Sequence, residues 1–313
     1  MRLLCFLTVV IVLMAGCSAA LAQTTTFDFL RVDVSARASA LGGSFLTMAN
    51  DPNLIFYNPA GLGSLASKKV SFGYFQQLVD IKSGHASFAE EIPGLGFVGA
   101  GIVYTNYGEF QGMDEQGIAT GTFRAGDLAI SAGYANRLRE DLFYGAAVKY
   151  IFSSIDNYTS SGVAVDFGAN YVALPGRIVL AASVLNLGTQ FNPYMNTREA
   201  LPLNVKVGAR LTPEHFPAAI LFDIHDINES QNSFFDHLSA FSIGMEFSSS
   251  ENLQLRVGYN NQQRKDFKVL SSSGLAGLSF GAGLLSEPYT FDYAFNSMGK
   301  IGGLHRVTVG ISF

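Results

Sequence analysis

The sequence has little charge, almost no cysteine and, past its first residues, no long apolar run. Charged residues make up 14% of its 313 positions while hydrophobic residues make up 48%, against about 25% charged in an ordinary soluble domain. A water-soluble protein of that composition would expose large apolar patches. The formal net charge of −5 argues against a nucleic-acid partner, which wants a basic stripe. The two cysteines, Cys5 and Cys17, both fall in the first 22 residues, so cleavage after that stretch leaves no disulfide or thiolate chemistry. Beyond the first twenty-odd residues no stretch approaches the roughly 18 consecutive apolar residues of a membrane helix. Apolar composition without apolar runs leaves one arrangement that buries enough surface, which is alternation.

Signs of catalysis are equally sparse. The histidines His85, His215, His225, His237 and His305 are scattered, with no pair at metal-ligand spacing. No Gly-x-Ser-x-Gly elbow occurs. Gly94-Leu95-Gly96-Phe97-Val98-Gly99 matches a dinucleotide fingerprint in letters, but a turn precedes it and a strand follows, where a phosphate site needs a strand and then a helix. A non-enzymatic protein without cofactor or metal is expected.

Residues 1–22 read as a signal peptide, with Arg2, an apolar core from Leu3 to about Ala15, and Ala20-Leu21-Ala22 before Gln23. The alternative is a lipoprotein site at Met14-Ala15-Gly16-Cys17, which Met14 fits poorly. Residues 23–68 then lack clean alternation and are rich in small residues and turn formers, notably Ser35 to Gly43, Asp51-Pro52 and Asn58-Pro59-Ala60-Gly61. A compact segment of this kind suits packing inside something else.

From Lys69 to the C-terminus the period is two. Tyr144, Ala146, Val148 and Tyr150 share a face opposite Gly145, Ala147 and Lys149; Leu253, Leu255, Val257 and Tyr259 oppose Gln254, Arg256 and Gly258. One face is apolar and aromatic, the other polar and glycine-rich, as a strand between lipid and a polar lumen requires. The spacing predicts strands over about 69–79, 81–90, 96–107, 121–136, 141–155, 158–172, 177–188, 201–211, 216–226, 238–248, 252–261, 272–285, 288–297 and 303–313. The reading is all-β: a transmembrane antiparallel barrel of about 14 strands over 69–313, holding residues 23–68 as a plug. Even-numbered connections are short and most odd-numbered ones long, the known asymmetry between periplasmic turns and outer loops. Phe313, ending an alternating strand, reads as the signal used by the barrel assembly machinery.

Lys149, Asp166, Lys206, Arg210, Asp223, Glu246, Arg256, Asp292 and Arg306 fall on lumen faces. They suit either a selectivity lining or pairing among themselves and with plug residues such as Arg31, Asp33, Arg37 and Asp51; unpaired charge away from water is costly, which favours pairing.

Phe29-Leu30-Arg31-Val32-Asp33-Val34-Ser35-Ala36-Arg37-Ala38-Ser39-Ala40-Leu41-Gly42-Gly43, followed by Asp51-Pro52 and Ile55-Phe56-Tyr57-Asn58-Pro59-Ala60-Gly61-Leu62, resembles the N-terminal hatch of the PorV/PorQ family, within the wider group of FadL-like barrels. Ser35, Arg37, Gly42, Gly43, Asp51, Asn58, Pro59 and Gly61 carry that motif. Tyr104 to Gly108, Asn186-Leu187-Gly188 and Asp223 to Asn228 are similar to the PorQ branch. The resemblance implies a role in type IX secretion in a Bacteroidota-type outer membrane, where such a barrel anchors a PorZ-like surface protein within the attachment complex. It implies no catalytic residues. The competing expectation is a FadL-like transporter of hydrophobic small molecules, weighed against by a charged lumen. If the protein is an anchor, the long outer connections carry specificity: Phe110 in 108–120, Phe191 and Tyr194 in 189–200, and Phe234 and Phe235 in 227–237. Their plainer reading is a place in the interfacial aromatic girdle.

Overall fold

The computed structural model describes residues 25–77, 81–195, 197–228, 239–267 and 274–313; the expected signal peptide 1–22 and the Phe234–Phe235 pair lie outside them. Fourteen strands among these residues form a closed antiparallel barrel in which each strand pairs with its neighbours in sequence. They are β1 Lys69–Gln76, β2 Lys82–Ile92, β3 Gly96–Met113, β4 Ala119–Arg139, β5 Leu142–Ile155, β6 Tyr158–Leu174 and β7 Ile178–Asn192. They continue as β8 Asn204–Leu211, β9 Ala218–Ile224, β10 Phe241–Ser248, β11 Leu253–Asn260, β12 Leu278–Ser286, β13 Tyr289–Ser297 and β14 Gly303–Ser312. The seam joins β1 to β14 in register from Lys69 opposite Ser312 to Gln76 opposite His305. Closure matters because lipid offers no partner to an open sheet edge.

The alternation is visible along each wall. Phe72, Ile102, Ile130, Val148, Tyr150, Phe280, Phe291 and Val307 point outward and are exposed. Ser71, Ser87, Ser131, Lys149, Asp223, Arg256 and Thr308 point inward and are buried. Among the described residues no helix is long and apolar enough to cross a membrane; the strands provide the apolar belt instead. Short turns face the periplasm in barrels of this class, so the end carrying the longer connections is the outer end.

Most strand ends fall within a few residues of the expected ones; β7 runs on to Asn192, β12 starts at Leu278, and two further connections differ. The expected loop 108–120 is instead a hairpin: β3 and β4 continue past the lipid belt and the connection shrinks to 114–118. Alternate burial stops near Tyr107, and most residues from Glu109 to Arg124 are exposed, so these strands stand in water, where neither face has to be apolar. Period-two reading is blind there. The expected loop 262–271 opens with a short helix, Asn261–Asp266, capped by the Asn260 side chain on Gln263 N.

Candidate functional site

The interior is occupied by residues 27–65. A five-residue helix, Ala36–Ala40, packs against β11 to β14, while the single-turn helices Pro52–Phe56 and Pro59–Ser64 pack against β1 to β6. Ala36, Ala38, Ala40, Leu41, Phe45, Leu54, Ile55 and Leu62 are fully buried there. This segment begins at the outer end, where Thr26 N donates to Ala200 O at 3.0 Å. It finishes at the inner end, where Leu65 leads into β1.

Each of the eight motif residues has a definite place in this segment. Arg37 clamps Glu246 of β10 bidentately (Nε–Oε2 2.9 Å, Nη2–Oε1 2.8 Å) and reaches Asp51 at 3.4 Å. Asp51 also caps its own turn, accepting from Asn53 N at 2.9 Å. Asn58 accepts from Ala60 N and donates to Leu46 O and to Asn170 Oδ1 of β6 at 2.6 Å. Pro59 opens the last helical turn, and Gly61 leaves room for Leu54, whose methyl lies 2.8 Å from where a Cβ would stand. Ser35 precedes the Ala36–Ala40 helix and donates its backbone N–H to the Tyr57 hydroxyl. Gly42 and Gly43 end that helix at φ +67° and +86°; a Cβ on Gly42 would sit 2.8 Å from the backbone of Tyr259. Only glycine accepts that dihedral and that approach together.

The nine lumen charges divide into four groups. Lys149 pairs with Asp166 at 3.0 Å across β5 and β6, and with the Asn186 side chain at 2.6 Å. Glu246, Arg256 and Asp292 form a chain with Arg37, Arg256 meeting Glu246 at 2.7 Å and Asp292 at 2.5 Å. Asp223 and Arg306 serve backbone instead. Asp223 accepts from Phe45 N (2.8 Å) and Leu46 N (3.1 Å); Arg306 donates to Asp33 O and to Asn296, with its guanidinium 4.6 Å over the Phe75 ring. Lys206 and Arg210 are half-buried, and Lys206 borders a cavity of about 40 Å³ between hatch and wall.

Charge-based reasoning missed the neutral contacts. Asn296 holds Ser39 through two hydrogen bonds, Thr308 accepts from Ala36 N, and Asn260 donates to Gly42 O. Asn186 was missed for another reason: it sits at φ +61° where the pairing of β6 with β7 slips, which turns it inward. Inward parity in the sequence would have found Asn296 and Thr308; a bulge leaves no such trace.

The expected outer aromatics separate. Phe191 is on β7, not in a loop, exposed and tilted against outward-facing Tyr150 at 6.3 Å, as a girdle residue would be. Phe110 is on β3, also not in a loop, and stacks on Phe123 of β4 at 5.4 Å. Tyr194 does lie in the β7–β8 connection. Phe110 and Tyr194 line one outward-opening cavity of about 420 Å³ with Phe27, Asp28, Tyr107, Asp127, Ser153 and Glu199. At its floor Tyr107 donates to Asp127 at 2.6 Å, Ser153 donates to the other Asp127 oxygen, and Tyr194 donates to Ser153. Phe313 stands at the seam, its N–H on Lys68 O at 2.9 Å and its ring beneath the Lys68 ammonium. A third cavity of about 140 Å³ at the inner end is bordered by Arg37, Asp51, Lys69, Arg256 and Asp292. No group of three or more His, Cys, Asp or Glu suited to a metal occurs among the described residues.

This architecture is similar to that of several solved outer-membrane barrels. The toluene transporter TbuX of Ralstonia pickettii superposes with a TM-score of 0.58 at 14% identity, covering 88% of this chain and 96% of that one. The toluene transporter TodX of Pseudomonas putida gives 0.58 at 15%, covering 92% and 99%. A FadL homologue of Pseudomonas aeruginosa gives 0.54 at 8%, covering 93% and 100%. No family profile matches the sequence, and no curated relative does. The chain folds as a closed fourteen-stranded antiparallel barrel, similar in fold to these outer-membrane proteins.

Proposed function

We propose that this barrel acts at its outer face as a membrane anchor for a protein partner, in the manner of the PorV/PorQ family of type IX secretion, holding a PorZ-like component of the surface attachment complex. The observation that carries this reading is the way the hatch is tied in. Arg37, Asn58, Ser39, Gly42 and the Phe45–Leu46 amides are all bound to wall side chains. The described cavities beside it, about 40 and 140 Å³, fall below the roughly 300–1,000 Å³ of ordinary ligand pockets and are bordered by charge. A lumen closed in this way supports a holding role. The hatch sequence and the PorQ-like stretches point the same way.

A second reading, uptake of hydrophobic small molecules, is the one the structural neighbours favour, and one local feature supports it. The outer cavity, at about 420 Å³, is of ligand size and rich in aromatic rings. The two readings predict different results from the same purified barrel. An anchor recovers one defined surface protein from solubilised outer membranes and, in proteoliposomes, passes labelled toluene or oleate no faster than an empty vesicle. Rapid passage with no recovered partner overturns the anchor in favour of the transporter.

A further inference from the structure

The outer cavity combines features that neither a hydrocarbon path nor a plain girdle needs. Its walls are the stacked pair Phe110 and Phe123, with Phe27, Tyr107 and Tyr194. Among the described residues its titratable groups apart from the two tyrosines are Asp28, Asp127 and Glu199, and no lysine, arginine or histidine lines it. Asp127 is 7% exposed, and its two oxygens are held by the Tyr107 and Ser153 hydroxyls. Those hydrogen bonds fix the carboxylate but bring no positive charge, and among the described residues Asp127 has no ion pair. A nearly buried anion of this kind is stabilised most by a cation that can reach it. Asp28, at the rim, is already partly engaged by Thr25 and, at 3.9 Å, by Arg31; Glu199 is exposed on the opposite rim.

Aromatic faces attract an organic cation through their quadrupole, most strongly when it is desolvated. A cage of five rings open to the outside, with a fixed carboxylate at its floor, is therefore complementary to an alkyl guanidinium or ammonium group. It is poorly matched to a neutral hydrocarbon, which would leave the Asp127 end unfilled. We infer that this cavity is the socket for a basic side chain, arginine or lysine, presented by the extracellular partner protein. The socket rests on the anchor reading and names the chemistry by which that partner is held. The β3–β4 hairpin, which projects past the lipid belt beside it with Phe110, Met113 and Ile118 exposed, forms one side of the approach.

The test uses the full-length barrel in nanodiscs and three probes: N-acetyl-arginine methylamide, its uncharged citrulline counterpart, and toluene. Binding is read by saturation-transfer NMR. The arginine probe is expected to bind, to exceed the citrulline probe by at least about tenfold, and to compete weakly or not at all with toluene. Asp127→Asn should reduce arginine binding by about tenfold, and Glu199→Gln, at an exposed position where folding is safe, by a few-fold. Both variants should lower recovery of the surface partner in the pull-down. Equal binding of the arginine and citrulline probes overturns the socket, as does tighter binding of toluene. Recovery of the partner at wild-type level by both variants overturns it too, while leaving the anchor reading intact. If the wild-type barrel recovers no partner, the anchor reading itself fails, and arginine binding then marks a small-cation site instead of a docking socket.

Discussion

The barrel has two unlike walls. Strands β3 to β7 run 14–21 residues, whereas β8 to β14 and β1 run 7–10. A transmembrane strand needs about 9–11 residues, so the second wall hardly does more than cross the bilayer while the first rises well beyond it. Their inner faces differ as well. The Lys149–Asp166 pair on the tall wall is satisfied within the wall, and the hatch meets that wall largely through apolar and small groups: Ile55 and Leu62 lie over Gly99, and Pro59 over Gly145. On the short wall, charges and amides reach into the hatch: Glu246 to Arg37, Asp223 to Phe45 and Leu46, Asn296 to Ser39. The short wall therefore grips the plug through directed bonds, and the tall wall supplies a close-fitting surface and the outer cavity.

Breaking the grip should have the largest effect. Glu246→Ala leaves Arg37 and Arg256 without their shared carboxylate, and losing one member of a buried ionic group costs about 3–5 kcal/mol. Urea unfolding in liposomes should shift by that amount, and residues 27–66 should become cleavable by added protease. Asp166→Ala should destabilise comparably yet leave the hatch protected, because its partner is on the wall; hatch cleavage equal to that of Glu246→Ala would erase the distinction. Next comes the fitted surface. Gly145→Val puts a side chain where the Cβ alone would stand 2.5 Å from the Pro59–Ala60 backbone, and overpacking of this sort costs about 1–3 kcal/mol. The displaced hatch should raise conductance in planar bilayers; unchanged current at unchanged stability would mean the wall yields. The smallest equilibrium effect is expected at the seam. Phe313→Ala removes a cation–π contact with Lys68 worth about 0.5–1 kcal/mol, so assembled barrel should unfold almost as wild type while the yield of heat-modifiable protein falls. A normal yield would remove Phe313 from assembly.

The walls also differ in how far the sequence discloses them. Within the lipid belt the solvent on each face is fixed, so Tyr150 and Lys149 or Leu255 and Arg256 declare their sides by parity alone. Where β3 and β4 leave the belt that constraint ends, and Phe110 reads as loop though it is strand. The hatch motif is legible as a motif, but its function in seating is not. Gly42 matters because of the Tyr259 backbone opposite it, a neighbour more than two hundred residues away. The lumen charges are legible as inward, yet Asp223 and Arg306 find carbonyls and amides that no pattern of charges announces. The outer cavity is assembled from five separate stretches, and only Phe110 and Tyr194 among its residues stood out beforehand.

The hatch is anchored at both rims: Thr26 is bonded to Ala200 outside, and Leu65 is continuous with β1 inside. A thread that runs the length of a tube, bonded to one wall and fitted against the other, is poorly placed to enter after the tube has closed. The sheet must then curl around it, with the hatch serving as a mandrel and the β1–β14 seam as the last edge to meet. Biogenesis on this account has a fixed order. Residues 27–65 take their place early, held against inward faces that do not yet form a ring, and the final strand, Gly303–Ser312, locks them in.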